Sequence, residues 1–374
     1  MSEFLHVIAF DIPYPPNYGG AIDVFFRIKS LTENGVNVIL HCFEYNREKS
    51  DVLDSMCFKV FYYKRNTSLL SHFSTLPYTV ISRKNKQLYA NLLNDNYPIL
   101  FDGLMSCYYL NDKAFAGRKK IYREANIEHH YYAELYKATA LSFSKLYYFF
   151  ESLKFRFFES NLKHSNLILA ISDLDKSYYA AKFPSIPVAF IPCFHSNSTV
   201  DISAEQGNYV LYHGNLSVAE NAKAVAFLCE QVFAKLNCRC VVAGMNPTEQ
   251  LKQLCAYYPM VELVTNPSDL ELKKLVREAQ VHTLVTFQST GLKIKLLNTL
   301  FAGKHVLVNE TMLAGSGLNS LCTIANSASE LVDACNRLMN LPFTDADIVQ
   351  REQILLPHFS NNFLAAQIIS LIAK

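Results

Sequence analysis

Short apolar runs alternate with amphipathic stretches along the whole chain, and that rhythm predicts strands and helices in turn. Phe4–Asp11 is the first apolar run, followed by a Pro/Gly loop over Ile12–Gly20 and an amphipathic helix over Ala21–Asn34. Gly35 ends that helix, and Val36–Cys42 reads as the second strand. Further strands are expected at Lys59–Tyr63, Ile99–Gly103, Lys120–Arg123, Leu167–Ser172 and Val188–Ile191. A second series starts with a strand at Tyr209–Tyr212, the turn His213-Gly214-Asn215 and a helix over Glu220–Leu236. It continues with strand Arg239–Ala243, the turn Gly244-Met245-Asn246-Pro247, helix Thr248–Tyr257, strand Val261–Val264 and helix Leu270–Glu278. Strand Val281–Val285, helix Gly291–Ala302 and strand His305–Asn309 complete it.

Strands alternating with helices imply parallel sheets built from βαβ units, so the fold class is α/β. At 374 residues the chain is long for one core, and two domains are expected. The polar segment 195–208 is the expected linker, between an N-terminal domain over 1–194 and a C-terminal domain over 209–350. Each half opens with a strand, a glycine turn and a helix. Open α/β sheets take ligands at the carboxyl ends of their strands, and two such edges facing across a cleft suit a two-part substrate.

Composition narrows the picture. Half the residues are hydrophobic and 18% are charged, an ordinary globular balance. A formal net charge of +2 gives little attraction to nucleic acid, so any anion site must be local. The ten cysteines are scattered through apolar runs without a C-x-x-C pair, which reads as buried thiols in a reducing compartment. The N-terminal residues lack the pattern of a signal peptide, and no apolar run is long enough to span a bilayer. A cytoplasmic protein is expected, with peripheral contact at the inner membrane face as an addition. Phe143–Glu159 is the one aromatic helix that invites the addition; most of it is expected to be core or packing surface.

Three segments carry candidate chemistry. Asn17-Tyr18-Gly19-Gly20 lies between strand and helix, where glycines let backbone N–H groups approach an anion. It is not G-x-G-x-x-G, so the dinucleotide fingerprint is absent. Arg123-Glu124-Ala125-Asn126-Ile127-Glu128-His129 follows a strand, so its polar groups fall at the sheet's carboxyl edge. There Glu128 and His129 suit a reacting sugar, while Arg123 suits a carboxylate or phosphate. In the third segment, Ser289–Lys304, the helical pitch puts Ile294, Leu297 and Phe301 on one face and Lys295, Asn298, Thr299 and Ala302 on the other. Lys293 and Lys295 in the first turn oppose the helix dipole, a conflict that a bound diphosphate would remove. Asn298 lies a turn further on, within reach of a ribose hydroxyl.

The order of these segments resembles the retaining GT-B glycosyltransferases (glycosyl transferases group one). The likeness runs through His213-Gly214-Asn215-Leu216-Ser217, Glu220-Asn221, Ala243-Gly244-Met245-Asn246-Pro247 and the Gly291–Gly303 helix, with Gly19-Gly20 and Asn126–His129 as N-terminal counterparts. It implies two Rossmann-like domains with parallel sheets facing across a cleft, and a C-terminal segment, 351–374, that crosses back to pack on the N-terminal domain. It also implies a nucleotide-sugar donor as co-substrate, no separate cofactor, no metal, and a glycan or lipid-linked acceptor. Gly19, Gly20, Gly214, Asn215, Gly244, Thr290, Gly291 and Asn298 would bind the donor, and Arg123 and Asn126 would lie on the acceptor side. His129 and Glu128 would flank the transferred sugar, and Lys293 and Lys295 would neutralise the leaving phosphate. Chemistry would be front-face displacement with retention. No D-x-D motif follows a strand, in keeping with a metal-independent hexosyltransferase.

Two departures stand out. The family has an Arg after the turn glycine and a Lys shortly beyond; this chain has Asn215 and Glu220. The family also has a Glu pair where this chain has Thr290 and Asn298. These changes keep two alternatives beside a surface-polysaccharide glycosyltransferase: a non-catalytic nucleotide-sugar-binding relative, and a GT-B-type sugar-nucleotide epimerase.

Overall fold

All the strand pairings are parallel, in a computed structural model that describes residues 4–139, 141–287 and 294–373. In the first unit, β1 (Phe4–Ile8), β2 (Asn37–Glu44), β3 (Lys59–Lys64), β4 (Ile99–Asp102), β5 (Lys120–Arg123), β6 (Leu167–Ala170) and β7 (Val188–Phe190) make one sheet. Its order is β3-β2-β1-β4-β5-β6-β7. The second unit, His195–Ser360, holds β8 (Tyr209–Asn215), β9 (Arg239–Met245), β10 (Val261–Thr265), β11 (Val281–Leu284), β12 (His305–Val308) and β13 (Thr323–Ile324). Its order is β10-β9-β8-β11-β12-β13. Strand order reverses at β1/β4 in one sheet and β8/β11 in the other, the switch points where such sheets take ligands.

The apolar runs are continuous because both faces of each sheet are covered. In the first unit Leu5, Val7, Leu40, Leu100 and Leu169 pack on one face, and Ile8, Phe43, Phe101, Tyr122 and Ile168 on the other. The first face is closed by Val24, Ile28 and Leu31 of helix Gly19–Glu33, and by Leu364, Ala365 and Ile368 of helix Asn361–Ala373. Lys119 Nζ donates to the carbonyls of Leu371 at 2.9 Å and Ile372 at 2.7 Å, placing a cation on that helix's C-terminal end. The segment from Asn361 thus belongs to the first unit. Residues 351–360 belong instead to the second: buried Arg351 donates to the carbonyls of Leu300, Lys304 and Leu321. Segment 195–208 is also tied into the second unit, through Asp201 N to Phe301 O at 2.8 Å and Gly207 N to Gln280 Oε1 at 2.8 Å.

All ten cysteines are free thiols, eight of them buried. Among the described residues no helix is long and apolar enough to cross a membrane.

A polar chain runs through the first sheet. Asp95 meets His6 Nε2 at 2.9 Å, His6 Nδ1 meets His41 Nε2 at 2.8 Å, His41 Nδ1 meets the Tyr63 hydroxyl at 2.7 Å, and Asn91 donates to that hydroxyl at 2.9 Å. One tautomer satisfies every link: both imidazoles neutral with the proton on Nε2, and Tyr63 donating to His41. Burial depresses both histidines, His41 most, and in the second unit it pushes His195 and His213 down to about 4. The unfolded chain takes these protons near its ordinary pKa of about 6.5, while the folded chain refuses them. Stability is therefore full above that pH and falls as pH drops below it, by about 1.4 kcal/mol each for His195 and His213 one unit down, with His6 and His41 acting in the same direction. Thermal midpoints should fall steadily from pH 7 to pH 5.5; a flat profile over that range would rule out the neutral assignment.

Candidate functional site

In the second unit strands β8 and β9 pair side by side at the carboxyl edge, next to the β8/β11 switch point. Gly214 and Gly244 pair across them, and a Cβ on Gly244 would lie 1.9 Å from the Gly214 carbonyl oxygen. Only glycine allows that approach, so Gly244 sets the spacing of the edge. Beyond it, Asn215 closes the turn on itself, its Oδ1 accepting from Ser217 N at 3.1 Å and Ser217 Oγ at 2.8 Å.

Asn221, in helix Ala219–Gln231, ties this edge to helix Ile294–Ala302. Its amide donates to the Asn215 carbonyl at 2.9 Å, and its Oδ1 accepts from Lys295 Nζ at 2.9 Å and the Tyr212 hydroxyl at 3.1 Å. Lys295 also donates to the Tyr212 hydroxyl at 3.2 Å and lies over that ring, 4.9 Å from its centroid. A cation from one helix is thereby fixed beside the turn after β8, where the sequence offers Asn215 and Glu220. Glu220 itself accepts from the Thr286 hydroxyl just past β11.

Asn298 Oδ1 accepts from Asn197 Nδ2 at 2.9 Å. Thr299, expected on the polar face, is buried: His213 Nε2 donates to its hydroxyl at 2.8 Å, and the hydroxyl donates to Lys295 O at 2.8 Å. The strand and helix press together here, and the two polar groups are accommodated by bonding each other. Thr290, Gly291 and Lys293 lie outside the described residues.

In the first unit Gly19 and Gly20 open helix Gly19–Glu33, whose N-cap Tyr18 supplies no side-chain cap. A Cβ on Gly20 would come within 2.8 Å of the Phe10 ring, so the glycine lets the helix start sit down on the end of β1. The preceding loop is held by Arg47, which donates to Asn17 Oδ1 at 3.0 Å and to the Pro15 carbonyl. Tyr18 donates to Asp11 at 3.2 Å, and an open hollow of about 860 Å³ lies between this loop and residues 46–52.

Glu128 and His129 begin helix Glu128–Ala138 at the carboxyl edge of β5. Glu128 is buried with Oε1 lacking a hydrogen-bond partner; burial raises its carboxyl to about 8, against the pull of nearby Arg83. It is therefore largely protonated at neutral pH and able to donate. Arg83 is buried too, donating to the Phe10 carbonyl at 2.8 Å and to the Thr79 carbonyl at 2.6 Å. His129 Nδ1 is 3.7 Å from Glu159, whose other oxygen accepts from Tyr178 at 2.7 Å and from Lys182. Asn126 is half-buried in the loop between strand and helix.

Arg123 has a different place from the one its type suggested. It is fully buried, donating to Asp23 at 3.1 Å, to Pro192 O at 3.0 Å and to Ile191 O at 2.5 Å. Asp23 also pairs with Arg27 at 2.7 Å, and Arg27 with Asp102. Two guanidiniums and two carboxylates thus form a closed set beneath the edge. Sequence reading noted Asn221 in the motif series without a role and missed Tyr212, Arg83 and this set; of these, the i, i+4 spacing of Asp23 and Arg27 was the visible signal.

No family model matches the chain. A protein of Klebsiella pneumoniae described as an uncharacterized 44.6 kDa protein in the cps region is 25% identical over 334 residues, 84% of each chain. Among solved structures, TarM superposes with a TM-score of 0.70 at 10% identity, covering 100% of this chain and 99% of that one. Anabaena HepE, solved with UDP and glucose, gives 0.67 at 11% identity over 99% of both chains. A UDP-forming trehalose-phosphate synthase from Burkholderia xenovorans, solved with glucose-6-phosphate, gives 0.63 at 11% over 100% of both. The fold is accordingly the GT-B fold, with two Rossmann-like parallel sheets. In its particulars this chain differs from the pattern of the resemblance at the β8 turn, where the fixed cation comes from Lys295.

Proposed function

We propose that this chain is a metal-independent, retaining glycosyltransferase that moves a sugar from a nucleotide-sugar to a glycan or lipid-linked acceptor in surface polysaccharide synthesis. The observation that carries the reading is Lys295, fixed by Asn221 and Tyr212 at the switch-point edge of the second sheet. A nucleoside diphosphate leaves more readily where cations and N–H groups meet its developing charge. HepE was solved with UDP, and the cps-region relative is in keeping with a glycan role. In this reaction the bond from the anomeric carbon to the phosphate oxygen breaks. The acceptor oxygen bonds that carbon on the same face, and its proton passes to the departing phosphate.

In this reading Lys295, with Lys293, holds the diphosphate, and Asn298 the ribose. Glu128 donates from its protonated carboxyl to the sugar, with His129 beside it. A thermal-shift screen against nucleoside diphosphates and nucleotide-sugars tests donor binding: a ligand at a hundred times its Kd stabilises the fold by about 2.7 kcal/mol. No shift with any of them would end the proposal. Mass spectrometry of the products then separates transfer from isomerisation of the sugar-nucleotide. The second reading, binding without turnover, draws on Glu220, a carboxylate held at the same edge by Thr286. It requires a thermal shift with neither transfer nor hydrolysis.

A further inference from the structure

Helix Phe143–Phe158, expected to be mostly core or packing surface, is apolar on two opposite sides. Glu151, Phe155 and Phe158 face inward and are buried. Phe143, Leu146, Phe149, Phe150, Leu153 and Phe157 are all exposed, Phe143 by 94% and Phe157 by 75%. At 100° per residue those six fall within an arc of about 120° on the outward side. A helix on a soluble surface carries polar residues there.

The patch continues onto the neighbouring turn Leu69–Phe73, where Leu69 and Leu70 are each 79% exposed and Phe73 is 87% exposed. The two segments are fastened together: Lys154 Nζ donates to the His72 carbonyl at 3.0 Å, and Glu151 accepts from Tyr78 N at 2.8 Å. The His72 ring stacks on Tyr78 with centroids 4.0 Å apart. An exposed apolar surface spread over two segments marks an interaction site.

Its rim is basic. On the helical projection Lys145 and Arg156 border one side of the outward arc and Lys154 the other. Between residues 137 and 164 the basic side chains are Lys137, Lys145, Lys154, Arg156 and Lys163; Lys137 pairs with Glu134 at 2.7 Å and Lys154 with buried Glu151 at 3.0 Å, so the excess positive charge rests on Lys145, Arg156 and Lys163. Lys59, Lys64 and Arg65 precede the Leu69–Phe73 turn with no acid among residues 59–73. Aromatic and leucine side chains ringed by cations match the boundary of an anionic bilayer, where rings enter the acyl region and cations meet phosphates. A second copy is the poorer fit, because an isologous contact would bring two basic rims together.

We propose that this face docks the protein on an anionic membrane surface, with helix Phe143–Phe158 lying in the interface plane beside the Leu69–Phe73 turn. The inference deepens the acceptor half of the proposed function and rests on it for the acceptor's identity, in favour of the lipid-linked class. Binding to the bilayer needs no donor, so it is measured without nucleotide.

The test is co-sedimentation of the full chain with vesicles of phosphatidylcholine plus about 30% phosphatidylglycerol, against phosphatidylcholine alone. The expected result is binding to the anionic vesicles that weakens with added salt. It should fall about tenfold or more in Phe150→Glu/Phe157→Glu with the thermal midpoint unchanged. Leu70→Glu/Phe73→Glu, on the separate turn, gives the same reading if the helix variant does not fold. Absence of vesicle binding, or binding that both pairs leave intact, overturns the proposal. So does a dimer in sedimentation analysis that these substitutions dissociate while vesicles stay unbound. None of these failures touches the thermal-shift result, which alone decides donor binding.

Discussion

Replacing Lys293 and Lys295 together by alanine should weaken nucleoside-diphosphate binding by on the order of 2–4 kcal/mol, the loss of two charge-assisted contacts. Calorimetry on the folded variant reads this directly, and unchanged affinity would remove the phosphate assignment. Lys295 is the half of the pair whose surroundings are described. Its Nζ donates to the Asn221 carboxamide at 2.9 Å and to the Tyr212 hydroxyl at 3.2 Å, and these contacts help fix where the charge sits. Asn221→Ala should therefore weaken the same binding to a smaller degree, because the ammonium survives but loses its setting. Nearby Glu220 is bonded to Thr286, so its carboxylate is directed toward the start of the segment after β11.

The second large effect is on folding. Asp23→Ala should lower the stability of the first unit by about 3–5 kcal/mol, since it leaves the Arg123 guanidinium buried without its carboxylate. Burial on its own would raise the Asp23 carboxyl. Arg123 and Arg27 overrule it and hold the group below the usual carboxylate range, with a further bond from Phe194 N at 2.8 Å. A loss of this size is a large share of a typical domain's stability. Urea unfolding measures it, and an unchanged midpoint would mean the four charges are not coupled. A second variant sharpens the result: Arg123→Met together with Asp23→Ala should cost less than the two separate losses combined, because neither charge is then stranded.

The central strands were legible because each is an apolar run buried on both sides, a pattern that local sequence states outright; the edge strands β3, β7 and β10 are only partly buried. Thr323–Ile324 escaped notice because two residues carry no periodicity. The glycine turns were legible as turns, but the reason for Gly244 was not: it is set by the carbonyl of Gly214, thirty residues earlier in the chain and adjacent in the sheet. Arg123 shows the limit most clearly. Its position after a strand pointed to the cleft edge, whereas Asp23, a hundred residues away, draws it inward. Thr299 was assigned outward by helical pitch and is inward because His213 on β8 offers it a partner. Charge and polarity, read locally, favour water; long-range partners decide otherwise.

The aromatic helix is the opposite case. Its composition argued for burial or packing, and one side does pack inward, but the outward arc is exposed. Periodicity could have separated the two arcs. It could not have told which of two apolar sides meets protein.

The return of helix Asn361–Ala373 to the first unit sets an order of events during synthesis. Leu364, Ala365 and Ile368 complete a hydrophobic face whose other members lie before residue 195, and all of His195–Ser360 is made in between. At roughly 5–20 residues per second that interval lasts on the order of ten to thirty seconds. Through it, the nascent first unit presents the uncovered flank of helix Gly19–Glu33. That helix, made before the whole of the second unit, is thus enclosed only after it.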